Sequence, residues 1–372
     1  MRRADGSYLN TGTITRLIFA AVLFGLYFLA KGIISADVEL CQQYSDMIRA
    51  FFLILSGALS YVPFVAAEVV LHLLIVAIGI YILVMLYKMI RRGHVLARLA
   101  RIFANALALL SIFFVLFYAL YGPAYTAQPL ADRLGIETES VNTEDVHKLR
   151  ALTIYMRNQA NNYANLVQRD LVDDCTFGSF ETMNDMVISA FQSAEIGYSV
   201  LSGPYAPTKI PYSRRILNTL GLSGIFIPYT GEAVVNAAAP DQSIPFTMAH
   251  EMSHRLAIAR EGEANFMAYI VCVESADRRV NYSGYFMAYR YCISALSAAD
   301  PTAAGEINAG VNDRLSHDLA QYKDFVLSCD SWISRLGDDV NDIYLKSQGQ
   351  SEGLDSYGEM VDLLLAEYAD IL

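Results

Sequence analysis

Three long apolar runs limit what this 372-residue chain can fold into: Leu17 to Ser35, Pro63 to Tyr87 and Ile102 to Tyr121. Each is long enough to cross a hydrocarbon layer of about 30 Å as a helix. Within lipid a lone segment must satisfy its own amides, so the helix is the only form open to it. Lys31 is the one charge in the first run, and Glu68 and His72 interrupt the second. No small-residue cleavage pattern follows the first run, which therefore reads as an uncleaved span. A shorter stretch around 48 to 61 is expected to lie at the membrane interface or to re-enter it. Glu68 sits near one end of its span, where a solvated helix end is preferred over a functional intramembrane carboxylate.

Charge divides the chain near Tyr121-Gly122-Pro123. Residues 1 to 122 hold ten Lys or Arg against five Asp or Glu, and residues 123 to 372 hold 17 against 33. The expected domains are thus a membrane domain, 1 to 122, and an acidic domain, 123 to 372. Arg2, Arg3 and Arg16 precede the first span, and Lys88, Arg91, Arg92, Arg98 and Arg101 lie between the second and third. By the positive-inside bias both segments are cytoplasmic, which delivers the acidic domain to the extracytoplasmic side. The lipid bilayer is the expected partner of the first part. The acidity of the second argues against nucleic acid, which selects a basic face. The five scattered cysteines form no CxxC pair, hence neither a disulfide framework nor a thiolate metal site.

The acidic part reads as mostly helical. Asn142 or Thr143 can cap a helix, with Glu144 and Asp145 in its first turn, running toward Leu171. A second helix covers 181 to 195. Between Gly203 and Pro245 the composition turns to Pro, Gly and β-branched residues. Two short strands are expected there, Ile225 to Pro228 and Glu232 to Asn236, joined by a turn at Thr230-Gly231. Helical texture returns from Phe246, and Ser347 to Ser356 reads as a polar loop.

His250-Glu251-Met252-Ser253-His254 is an HExxH motif in an apolar setting (Phe246, Met248, Ala249, Met252, Leu256), with no Pro or Gly from Phe246 to Arg260. On a helix, positions i and i+4 share a face, so both imidazoles can bind one Zn2+ per chain while Glu251 reaches a water beside it. Such a water is acidified by the metal and its proton taken by the carboxylate, the chemistry of peptide-bond hydrolysis. A catalytic zinc takes three protein ligands, and Glu261 and Glu263 compete to be the third. Glu261 is preferred, with Asn265 one turn later aimed at a ligand histidine. Strand Glu232, Ala233, Val234, Val235, Asn236 is a candidate exposed edge for an extended peptide, although an ordinary structural hairpin fits as well. Tyr282, Tyr285, Tyr289 and Tyr291 form a pool of candidate oxyanion donors.

HEMSH followed by E-G-E-A-N-F-M-A resembles the gluzincin metallopeptidases, whose third ligand lies in a pattern E-x-x-A-D/N-x-x-A. Glu261, Ala264, Asn265 and Ala268 match it, though the six residues between His254 and Glu261 are fewer than in most gluzincins. More widely, VELCQQYSDMI, FYALYGPAYTAQPLADRLGI, IPYTGEAVVN, PFTMAHEMSH and AREGEANFMAY together resemble an uncharacterised bacterial family of three-span membrane proteins, a domain of unknown function with a zinc-peptidase motif. The resemblance implies a bacterial multi-pass membrane protein.

The expected fold is a mainly α membrane protein: three transmembrane helices, then an α+β zincin-like domain with a small sheet. The expected function is zinc-dependent hydrolysis of peptide bonds in a peptide, protein or cell-wall peptide. A non-catalytic membrane-anchored binding or sensory module with a structural metal site is the alternative.

Overall fold

A computed structural model describes residues 10–137, 146–335, 346 and 357–370. The expected cap at Asn142 or Thr143 and the loop from Ser347 to Ser356 fall outside them. Four long helices open the described chain: α1 (Thr11–Ile34), α2 (Val38–Leu59), α3 (Ala66–Arg92) and α4 (Val95–Leu120). Of these, α1, α3 and α4 are long and apolar enough to cross a membrane. Asn10 caps α1 and Asp37 caps α2, each side chain accepting an amide of the first turn. The turn between α3 and α4 is only Gly93 and His94, both at positive φ.

α2 differs from its expected form. It starts ten residues earlier than expected, because Asp37 caps it and Cys41, Ser45, Ile48, Phe52 and Ser56 form one buried stripe at helical spacing. Met47, Phe51 and Ile54 on the opposite side are apolar and exposed.

After α4 a 3-10 turn (Gly122–Thr126) and a short helix α5 (Leu130–Leu134) lead to α6 (Val146–Ala164), α7 (Phe180–Ala194) and α8 (Arg215–Leu220). α6 stops at Ala164, seven residues short of the expected end; Arg169 begins an isolated bridge with Cys175 there. Then come β1 (Gly224–Ile227) and β2 (Glu232–Val235), followed by α9 (Ile244–Arg255), α10 (Glu261–Val273), α11 (Arg278–Ala299), α12 (Pro301–Asn308), α13 (Asp313–Cys329) and α14 (Tyr357–Glu367). α9 and α10 are central to one apolar core that also takes in Leu149, Leu152, Phe191, Phe286 and Leu364. A buried polar group inside it is fully paired: Asp318 accepts both Arg169 guanidinium nitrogens (3.0 and 2.7 Å) and the Tyr282 hydroxyl. All five cysteines are buried and free.

The membrane helices are bonded to this domain rather than tethered to it. Glu232, at the start of β2 and 2% exposed, accepts the amides of Ala66 and Ala67 (2.9 and 3.0 Å), the first two residues of α3. It also pairs with Lys209 at 2.8 Å, whose ammonium in turn donates to the Leu59 and Phe64 carbonyls. Burial alone would raise the Glu232 pKa, but these donors hold it below the usual carboxylate range. Glu68 is not a solvated end: it is buried and accepts the Tyr212 and Ser213 amides at 2.7 and 2.8 Å. Glu232→Ala removes the carboxylate that neutralises Lys209 and leaves two helix amides unpaired in a buried place, a loss of about 3–5 kcal/mol. Thermal unfolding of the detergent-solubilised full chain is expected to drop by roughly 10 °C, and Glu232→Gln by clearly less.

Candidate metal centre

Every side chain of α9 is buried except His250, which keeps partial exposure. Packed on all sides, the helix holds its two histidines in fixed rotamers. The His250 and His254 Nε2 atoms come within 3.0 Å of each other.

The chain reverses at once after α9. Ala257 takes a left-handed φ of 61° while its amide bonds the His254 carbonyl (3.0 Å) and the Ile258 amide bonds the Ser253 carbonyl (3.3 Å). That pattern is a Schellman turn, here with alanine where glycine is usual. Its tightness makes the six-residue spacing sufficient: α10 begins at Glu261 with its carboxylate already beside the histidines. Glu261 Oε2 lies 3.3 Å from His250 Nε2, and Oε1 lies 3.6 Å from His254 Nε2. The three residues offer ligand atoms all within 4.8 Å of one another. His254 Nδ1 faces the Ile258 carbonyl at 2.8 Å, which favours a proton on Nδ1 and frees Nε2 for a cation. His250 Nδ1 is buried without a hydrogen-bond partner, so no contact on that side of the ring orients it. Two imidazole nitrogens and one carboxylate suit Zn2+ or a related divalent ion and leave a coordination position open.

Glu263 points elsewhere. It accepts the Leu130 amide at 2.7 Å and pairs with Arg260 at 2.6 Å, bracing α5 against α10. Asn265, expected to orient a ligand histidine, instead accepts the Tyr291 hydroxyl at 3.2 Å. Of the tyrosine pool, Tyr282 is bonded to Asp318, Tyr289 to Asn308 (2.6 Å), and Tyr285 stacks on Tyr163, so none of these three is aimed at the histidines.

Glu251 is 5% exposed and receives the Phe226 amide of β1. Burial, opposed by the two histidines, raises its pKa to about 7. Gly224 explains how close β1 comes: a Cβ there would fall 2.5 Å from Glu251 Oε1. Of the two readings of this segment, exposed edge or structural hairpin, β2 follows the second. It is buried at all four positions, with β1 on one side and Lys209 on the other, bonded through the Ala233 carbonyl and the Val235 amide (both 2.9 Å). β1 has no strand partner but β2 among the described residues. Ala233 and Val235 turn their amides toward Lys209, so opposite them Gly224 and Phe226 turn theirs outward, toward Glu251.

Two neighbours carried no sequence signal. Tyr121, the residue after α4, donates its hydroxyl to the His254 carbonyl at 3.1 Å, its ring 6.4 Å from the His254 imidazole. Arg255, fully buried, donates to the Gly231 and Ala206 carbonyls and ties α9 to the hairpin turn. Burial lowers its pKa to about 10.

Glu261→Ala and His250→Ala are each expected to remove stoichiometric zinc from the purified full chain, and Glu263→Ala to keep it, by plasma mass spectrometry. Zinc affinity should also climb with pH. Burial pushes the His254 pKa down, but the Glu261 carboxylate overrides it and raises it to about 9. Below that value a cation must displace a proton, so Kd falls about tenfold per pH unit from 6 to 8 and levels above 9. Glu261, held well below the usual carboxylate range by the histidines against the effect of burial, releases no proton in that interval. Competition titrations against a calibrated chelator measure the slope.

No curated protein and no solved structure matches this chain. A family model does, over residues 44–365, a stretch that begins within α2 and includes every residue of the centre described above. The chain belongs to the family described as "Protein of unknown function (DUF3810)".

Proposed function

We propose that the chain is a membrane-anchored zinc metallopeptidase whose catalytic domain lies on the extracytoplasmic side. The observation that carries this reading is the convergence of His250, His254 and Glu261 on one point, with the buried Glu251 carboxylate one residue from His250. A set of three donors with an open position is the arrangement of hydrolytic rather than structural zinc. A bound divalent ion would polarise the scissile carbonyl and acidify the attacking water.

The remaining work belongs to the protein. Glu251, a buried carboxylate beside the proposed ligands, would accept the water's proton and return it to the departing amine. The Phe226 amide holds that carboxylate against β1. Along β1 an extended substrate would run antiparallel or parallel to the strand, recognised by backbone rather than by side chain. The basic residues at the end of α3, Arg91 and Arg92, and in the first turns of α4, Arg98 and Arg101, support the orientation that puts this domain outside. Peptides of the cell wall satisfy the same residues as substrates.

Glu251→Gln is expected to retain one zinc per chain and to lose turnover of a mixed peptide pool by roughly 10²–10⁴-fold. Normal turnover in that variant would end the peptidase reading. Zinc bound with no turnover in the wild-type chain would favour the non-catalytic module with a structural metal.

A further inference from the structure

The site lies against the membrane-exit ends of two spans. Ile102 to Tyr121 is the apolar run of α4, and its 20 residues match the hydrocarbon thickness, which sets Tyr121 at the boundary. That tyrosine touches the metal-binding helix through the His254 carbonyl, its ring 6.4 Å from the His254 imidazole. On the other side Glu232 receives the first amides of α3, and Glu232 stands opposite Ile227 in the hairpin. Tyr229, in the turn that follows, reaches further down: its hydroxyl donates to the Phe113 carbonyl at 3.2 Å and its ring lies 5.4 Å from that of Phe113. Phe113 is seven residues before the end of α4, about 10 Å along the helix axis. The hairpin whose outward strand borders Glu251 therefore runs from the candidate site past the level of Tyr121 and into the upper acyl region of the bilayer.

Two further observations agree. α2 crosses this level, its Tyr44 hydroxyl on the Ala119 carbonyl (2.7 Å) and Phe52 packed on Phe226 and Tyr121. Its outer stripe of Met47, Phe51 and Ile54 is apolar and exposed, as a lipid-facing side must be. Tyr44, Tyr118, Tyr121 and Tyr229 gather at the end of α4, as in an aromatic belt. α3 buries only Glu68 and Met85, so the spans do not close into a bundle that would wall off the hairpin laterally.

We infer that the substrates are polypeptides themselves anchored in the bilayer, cut within a few residues of the surface from which α4 emerges. The inference rests on the peptidase reading and adds its substrate class. An extended chain rises about 3.3–3.6 Å per residue, so a site this low meets the first three to six residues beyond a span. A soluble chain has to reach the same strand against the membrane.

The test uses the full chain in nanodiscs and has two readouts. In a Trp332→Phe background, which removes the single native tryptophan, Tyr229→Trp is compared with Phe117→Trp on α4 and with Leu171→Trp in an exposed segment. Lipids brominated near the top of the acyl chain are expected to quench the first two alike and to spare the third. A Tyr229→Trp signal as unquenched as that of Leu171→Trp would overturn the placement. Cleavage is then measured on a randomised segment presented in three ways: beside a single-span anchor, beyond a rigid helical spacer of about 30 residues and roughly 45 Å, and as free peptide. The anchored proximal segment should be cut at least tenfold faster than the other two. Equal rates in all three would overturn the inference and leave the peptidase reading standing. Absence of cleavage in all three would remove that reading, and the inference with it, whatever the quenching shows.

Discussion

A buried carboxylate, Glu232, fixes the relation between the apolar helix α3 and the candidate site. It is almost completely withdrawn from water and satisfies three donors: the Lys209 ammonium and the first two amides of α3. The amides at a helix start carry partial positive charge and lack partners within the helix, so a carboxylate there does the work of a cap. Because Glu232 is also the first residue of β2, the cap locks a sheet to a span. The sheet in turn sets β1 against Glu251, and Arg255 bonds the hairpin turn back to α9. Moving the span would therefore move the strand that borders the candidate catalytic carboxylate.

The centre itself depends on a different economy of contacts. Six residues separate His254 from Glu261, and a loop of ordinary looseness would not bring Glu261 back. The Schellman turn at Ala257 does so, and the Ile258 carbonyl it positions bonds the His254 imidazole. One turn thus reverses the chain, supplies the third donor and orients the second. Packing contributes the rest: with α9 enclosed on all sides, its histidines have little rotational freedom to lose when a cation binds.

Much of this was readable beforehand, and the failures have a common cause. HExxH and the apolar runs are properties of short segments, in which spacing on one helix decides what shares a face, whereas the preference for Glu261 over Glu263 rests on its place in a pattern with Ala264, Asn265 and Ala268. Glu68 was read as a solvated end because a carboxylate's partners, here the Tyr212 and Ser213 amides, lie 144 and 145 residues away. Asn265 was aimed at a histidine from its place in a pattern, while its actual partner is Tyr291, one helix further on. The start of α2 is not legible in the apolar run around Phe51, because the stripe that extends the helix back to Asp37 is buried against the end of α4 and the hairpin, both distant in sequence.

What the sequence by itself determined is local: three helices that lipid would require, two imidazoles one turn apart, a carboxylate between them, and a turn-rich stretch that makes a hairpin. Only the tertiary structure decided which edge of that hairpin borders Glu251. Both strands are short, four residues each, and nothing within either one says that the Lys209 segment bonds β2 and leaves β1 outermost. It also decided that Tyr121 and Tyr229 join the site to the ends of the spans. Those contacts link residues more than a hundred positions apart, and their formation depends on how whole elements pack, which no periodicity along the chain encodes.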